Sequence, residues 1–182
     1  LESRGMGDVD IIFVGDNGTP SAAVQAPWLS LQAKETLYEG GVHVPMCASG
    51  PSVVAPGRTS EALVHLVDVF ATVGEMYGLD PIADLPDTHV FDSVSFYSTL
   101  QDPAATGDRT WSYTEGFGGH ISSGEGVAAR DERVKLVRWD DGSGAAYDLR
   151  VDPLETEDIL GRASLEGELS SRIASLSAVL DS

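Results

Sequence analysis

Lysine is almost absent from this chain. Only Lys34 and Lys135 occur, and basic residues number 11 against 29 acidic ones, a formal net charge of −18 over 182 residues. So small a basic footprint argues against nucleic acid or an anionic membrane as a partner. The acids are dispersed rather than blocked, which reads as a solvated surface. Cysteine is nearly missing too. Cys47 alone permits no internal disulfide, and the apolar setting Val44-Pro45-Met46-Cys47-Ala48-Ser49 predicts an inert buried thiol. No apolar run approaches the roughly 20 residues that cross a bilayer, and the polar N-terminal stretch has no apolar signal core. Against these absences, 42% hydrophobic residues are enough for a core and exclude wholesale disorder. The length suits one ordinary domain or a large fragment of a bigger protein.

Candidate chemistry is concentrated between Asp10 and Pro45. Ile11-Ile12-Phe13-Val14 is a short unbroken apolar run stopped by Gly15, the pattern of a strand buried on both faces. Asp16-Asn17-Gly18 follows where such a strand surfaces, and ligands of open α/β sheets collect beyond the carboxyl ends of strands. A carboxylate next to an amide carbonyl offers two hard oxygen ligands for a cation such as Ca²⁺. By itself Asp-Asn-Gly is a weak signal and reads first as a turn, since Asn and Gly tolerate positive φ. Downstream, Lys34 stands four residues before Tyr38, and Tyr38-Glu39-Gly40-Gly41-Val42-His43-Val44-Pro45 runs on without a break. A lysine ammonium is a compact charge with three donors, suited to gripping an anionic oxygen.

These two motifs, in this order and at this distance, resemble the second half of the type I sulfatases of the alkaline phosphatase superfamily. That family carries a strand ending in Asp-Asn-Gly, then Lys, three residues, an aromatic, Glu-Gly-Gly, one residue, Arg, Val and Pro. His43 stands here where Arg is usual, so a salt bridge at that point becomes weaker or pH-dependent. The resemblance implies an α/β fold, the C-terminal part of a sulfatase-like α/β sandwich in residues 1–104. A small antiparallel sheet with a helix would follow in residues 105–182. It also implies that about half of the protein precedes the motif strand, and Leu1 is not an initiator Met.

Along the rest of the chain, residues 1–7 look like the tail of a helix closed by Gly5 and Gly7. Thr19 to Leu31 is a loop or short helix, and Val42 to Ser49 a second strand leading away from a Gly-Gly turn. Leu63, Leu66, Val67, Phe70, Val73 and Tyr77 recur at helical spacing. Either one helix starts at Ser60, or residues 63–67 are extended and Asp68 caps a shorter helix; the resemblance favours the second. Gly78 supplies the left-handed stop. Phe91-Asp92-Ser93-Val94-Ser95 resembles the family's Asp-Gly-x-Ser segment, with Ser93 in place of Gly. Beyond residue 108, period-two runs at 110–115, 126–139 and 146–149 predict antiparallel strands. Leu165, Leu169, Ile173, Leu176 and Leu180 then form one stripe of an amphipathic helix covering that sheet.

In the family the nucleophile is a formylglycine made within a Cys/Ser-x-Pro-x-Arg motif, and this chain contains no such motif. The resemblance therefore implies that the formylglycine and an early Asp pair lie in an N-terminal half. This chain would supply the Ca²⁺ ligands Asp16 and Asn17 and a sulfate-gripping Lys34, and alone would be inactive. Two side chains cannot satisfy the 6 to 8 oxygens Ca²⁺ takes. Tyr38 and Glu39 read as scaffold, an aromatic under the loop and a carboxylate bonding the Gly-Gly backbone. His120, in a Gly-rich loop between sheet strands, is the candidate substrate contact, while His65 and His89 are ordinary. The expected substrate is a sulfate ester, and the expected location periplasmic or extracellular. Two alternatives stand beside this reading: a phosphodiesterase or phosphonate hydrolase of the same superfamily, and a non-catalytic binding module on the same scaffold.

Overall fold

A computed structural model describes residues 5, 8–80, 82–83, 85–86, 88–117 and 124–182. The helix tail expected over residues 1–7 thus falls largely outside the described residues. The chain divides into two compact units, residues 1–13 with 46–110, and residues 14–45 with 111–182.

β1 (Ile11–Val14), which belongs to the first unit up to Phe13, hydrogen-bonds with β2 (Met46–Ser49) in a two-stranded sheet. Neither strand is buried on both faces, contrary to expectation. Phe13 is 65% exposed and Ile11 43%, because a two-stranded ribbon has no layer over that face. Cys47 is likewise exposed rather than buried, since the pleat turns it outward between half-buried Met46 and Ala48. Asp10 anchors the ribbon: its carboxylate accepts from Ser52 N at 2.9 Å and Ser52 Oγ at 2.8 Å.

Helix α2 (Asp68–Met76) begins at Asp68 after a turn at Leu66–Val67, so the shorter of the two expected helices forms. Asp68 does not cap it with its side chain. Its buried carboxylate accepts from His65 N at 2.7 Å, Val94 N at 2.9 Å and Arg109 Nε at 2.7 Å, tying three loops to the helix start. At the other end Gly78 takes φ +70°, Gly78 N reaches Glu75 O and Leu79 N reaches Gly74 O, a paired closure that uses the last carbonyls. Helix α3 (Tyr97–Gln101) follows.

The second unit is a meander of β3 (Ser112–Gly116), β4 (Gly126–Arg130), β5 (Val134–Trp139) and β6 (Gly144–Asp148), each antiparallel to the next. Alternation gives it two faces. Ala129, Val134, Leu136 and Ala146 face helix α4 (Gly167–Leu180), which buries Leu169 and Leu176 against them. Ala128, Val137, Ala145 and Tyr147 line the opposite face and pack with Leu37, Tyr38 and Trp139. The segment 14–45 covers that second face, and it carries both sequence motifs.

Candidate functional site

Glycine decides how the two motifs meet. Gly40 and Gly41 do not form a turn, as expected, but lie inside a one-turn helix α1 (Glu39–Val42). Gly18 donates its N–H to Gly41 O at 2.9 Å, and a Cβ at Gly18 would collide with the Gly40 carbonyl oxygen and lie 2.8 Å from Gly41 Cα. A Cβ on Gly41 would strike Thr36 O and lie 2.7 Å from Ala33 O. Backbone thus lies on backbone with no room for any side chain. Two further bonds flank this contact, Gly15 N to Pro45 O and Lys34 N to Thr19 O, both at 3.0 Å.

The Asp-Asn-Gly corner and the start of the lysine motif therefore share one loop cluster. Asp16 and Asn17 are exposed on it, and Lys34 is half-buried. Asn17 Nδ2 donates to Gly18 O at 3.0 Å, and its amide oxygen accepts no hydrogen bond among the described residues. Among the described residues nothing hydrogen-bonds or pairs with the Asp16 carboxylate or the Lys34 ammonium. The donors are of the hard-oxygen type a Ca²⁺ ion takes. No group of three or more acidic, histidine or cysteine side chains among the described residues could hold a metal, so these two oxygens make only part of a coordination sphere. His120 lies outside the described residues.

The other lysine has the opposite surroundings, and sequence reading passed over it. Lys135 is 1% exposed on β5, opposite Arg130 of β4 and Tyr147 of β6, on the face that α1 covers. Its Nζ stands 3.2 Å from Glu39 Oε1 and 3.0 Å from Glu155 Oε1. Glu39 also takes Arg130 through Oε2, and His43 Nδ1 sits 3.1 Å from the same oxygen across one helical turn. Glu39 thus binds cations, not the Gly-Gly backbone as expected, because α1 turns its side chain toward the sheet. The contact that His43 makes in place of the usual arginine thus runs to Glu39, and it is an ion pair only when the imidazole is protonated. Burial pushes the Glu39 carboxyl up, but the His43 hydrogen bond and the Lys135 and Arg130 charges outweigh it and bring it down to about 2. Glu155 moves the other way: burial pushes it up, and Lys135 only partly offsets this. Nothing in the spacing of Glu39, Lys135 and Glu155 announces this cluster; the alternation Val134-Lys135-Leu136 is the one available signal, placing Lys135 on the face away from Val134 and Leu136.

No family profile matches the chain. By sequence it is 25% identical over 161 residues to arylsulfatase K of Xenopus laevis, covering 86% of this chain and 29% of that protein. It is 36% identical over 110 residues to arylsulfatase G of Rattus norvegicus, covering 53% and 20%. A sulfatase of Formosa agariphila is 30% identical over 161 residues, covering 82% and 28%. The fold is shared with the PsFucS1 sulfatase of Pseudoalteromonas at TM-score 0.77 and 20% identity, over 100% of this chain and 38% of that one. A phosphonate monoester hydrolase of Agrobacterium radiobacter shares it at TM-score 0.56 and 23% identity, over 80% and 30%. In sequence and fold the chain is similar to a portion of sulfatases, and this mixed α/β chain spans less than a third of the length of these curated relatives.

Proposed function

We propose that this chain is the C-terminal portion of a sulfuric ester hydrolase of the alkaline phosphatase superfamily. Residues 1–104 would complete the α/β domain, and 105–182 form the small C-terminal subdomain. The observation that carries the reading is the Gly18–Gly41 contact. It supports the reading by bringing exposed Asp16 and Asn17 onto one loop cluster with Lys34, whose ammonium has no carboxylate partner among the described residues. Asp16 and Asn17 would hold Ca²⁺ together with ligands from an N-terminal portion, and the bound ion would supply positive charge beside the sulfate. Lys34 grips an anionic sulfate oxygen and stabilises charge developing on the leaving oxygen. The formylglycine nucleophile belongs to the N-terminal portion, and His120 to the substrate mouth. Exposed Ile11, Phe13, Phe70 and Tyr77 of the first unit support such a portion as the polypeptide that covers them. Export to the periplasm or outside the cell goes with this reading, and no helix among the described residues is long and apolar enough to cross a membrane.

The test uses the full-length protein and an aryl sulfate. Lys34→Ala is expected to lower kcat by roughly 10²-fold, the scale for losing one charge-stabilising donor, with little change in stability. Asp16→Ala is expected mainly to raise the Ca²⁺ concentration needed for activity. The 182-residue chain alone is expected to show no turnover. A phosphonate monoester hydrolysed in preference to the sulfate would assign the chain to the phosphoryl branch, and hydrolysis of neither would leave the scaffold as a binding module.

A further inference from the structure

We infer that Lys135 and Glu155 are positioning residues for the Asp16–Lys34 loop cluster, acting through Glu39. The chain of contacts is short. Lys135 projects from the middle of the meander and meets Glu39 and Glu155 together. Glu155 grips the opposite segment at two points: its carboxylate accepts the Glu39 N–H at the start of α1, and its carbonyl accepts Gln32 Nε2 at 3.0 Å. These bonds hold the first residue of α1 and the loop before it. Two residues on, Gly41 O accepts Gly18 N, and beside it Lys34 N bonds Thr19 O. A one-turn helix with two glycines cannot hold its own shape, because glycine is a poor helix former and the nucleus has few internal bonds. Its position must come from what it is tied to. Glu155 also adopts φ +55°, a conformation uncommon in non-glycine residues and kept where the surroundings overdetermine it. On stability grounds alone a buried Lys–Glu–Glu set has no advantage over apolar residues of equal volume. What it adds is a fixed distance from a rigid sheet to a weak helix, and through that helix to Gly18. The catalytic importance of this bracket rests on the sulfatase reading; the mechanical role does not.

Amide hydrogen exchange on the 182-residue chain tests it. In Lys135→Met the Gly18 and Lys34 amides are expected to exchange at least about tenfold faster, while the Ile159 amide, bonded to Ala146 O in the sheet unit, keeps its protection. Lys135→Arg is expected to restore most of the protection, and Glu155→Gln to give a smaller loss at the same two amides. Gly18 and Lys34 amides unchanged in both Lys135→Met and Glu155→Gln would overturn the inference. So would a uniform rise that includes Ile159, which marks a general structural role; if Lys135→Met does not fold, Glu155→Gln carries the same comparison. In the full-length protein the same variants are expected to lower kcat for a sulfate ester with rescue by Lys135→Arg. A local exchange response in a protein that hydrolyses no sulfate ester would sustain the positioning role and remove the sulfatase reading.

Discussion

At the scale of single residues, the two lysines divide two tasks. Lys34 keeps its charge available, whereas Lys135 is consumed by two buried carboxylates. Glu39 is where pH acts on this arrangement. Its folded pKa of about 2 lies below the ordinary value of 4.5, so its contribution is complete above 4.5 and is lost as pH falls toward 2. The displacement corresponds to about 3 kcal/mol. Glu155 is raised, so its ionised form opposes folding at neutral pH, and that opposition fades on acidification. The net acid loss is therefore smaller than Glu39 alone implies. Glu39→Gln is expected to destabilise the chain at pH 7 by about 3–5 kcal/mol, since Lys135 loses a buried partner, and to flatten the stability profile between pH 4.5 and 2. Urea unfolding across that range reads both effects, and an unchanged slope would show that Glu39 does not titrate as described.

Elements here are short, and several are held by one side chain rather than by their own propensity. Helix α2 starts where Asp68 binds Arg109 at 2.7 Å, with Arg109 also donating to Asp92 O at 2.6 Å. The pair is buried on both sides, so Asp68→Ala is expected to cost about 3–5 kcal/mol, measured as a fall in the urea midpoint. A surface N-cap would cost only about 1 kcal/mol, which makes the size of the loss diagnostic. Helix α4 instead is held along its length. Leu169 and Leu176 are buried on the sheet, and Arg172 bridges Asp131 at 2.9 Å and Glu132 at 2.8 Å. Such distributed contact explains why its stripe of leucines was readable in advance, whereas the role of Asp68 was not.

For the whole molecule, chain order and packing order differ. Residues 14–45 precede the first unit's helices in sequence but fold with residues 111–182. Leu37 and Tyr38 enter the sheet's apolar face, Tyr38 with ring centroids 6.1 Å from Tyr147 and 6.4 Å from Trp139. Protease sites introduced at the exposed residues Gly57 and Ala104 should therefore leave the fragment carrying 14–45 bound to 111–182 after both cuts. Co-elution on size exclusion is the expected result; separation of the two would show that the intervening segment is needed to hold them.

The sequence alone determined the periodic features: the antiparallel strands beyond residue 108, the stripe on α4, the left-handed stop at Gly78 and the two motifs that resemble those of sulfatases. Each depends on local alternation, a backbone preference or a run of residue types, all of which survive in one dimension. Only the tertiary structure decided that Glu39 faces Lys135 rather than the glycines, that Cys47 and Phe13 are exposed, and that Asp68 binds an arginine 41 residues away. These outcomes depend on which surface meets which. A charge such as Lys135 reads as an ordinary strand residue until two carboxylates, one from before the sheet and one from after it, close over it.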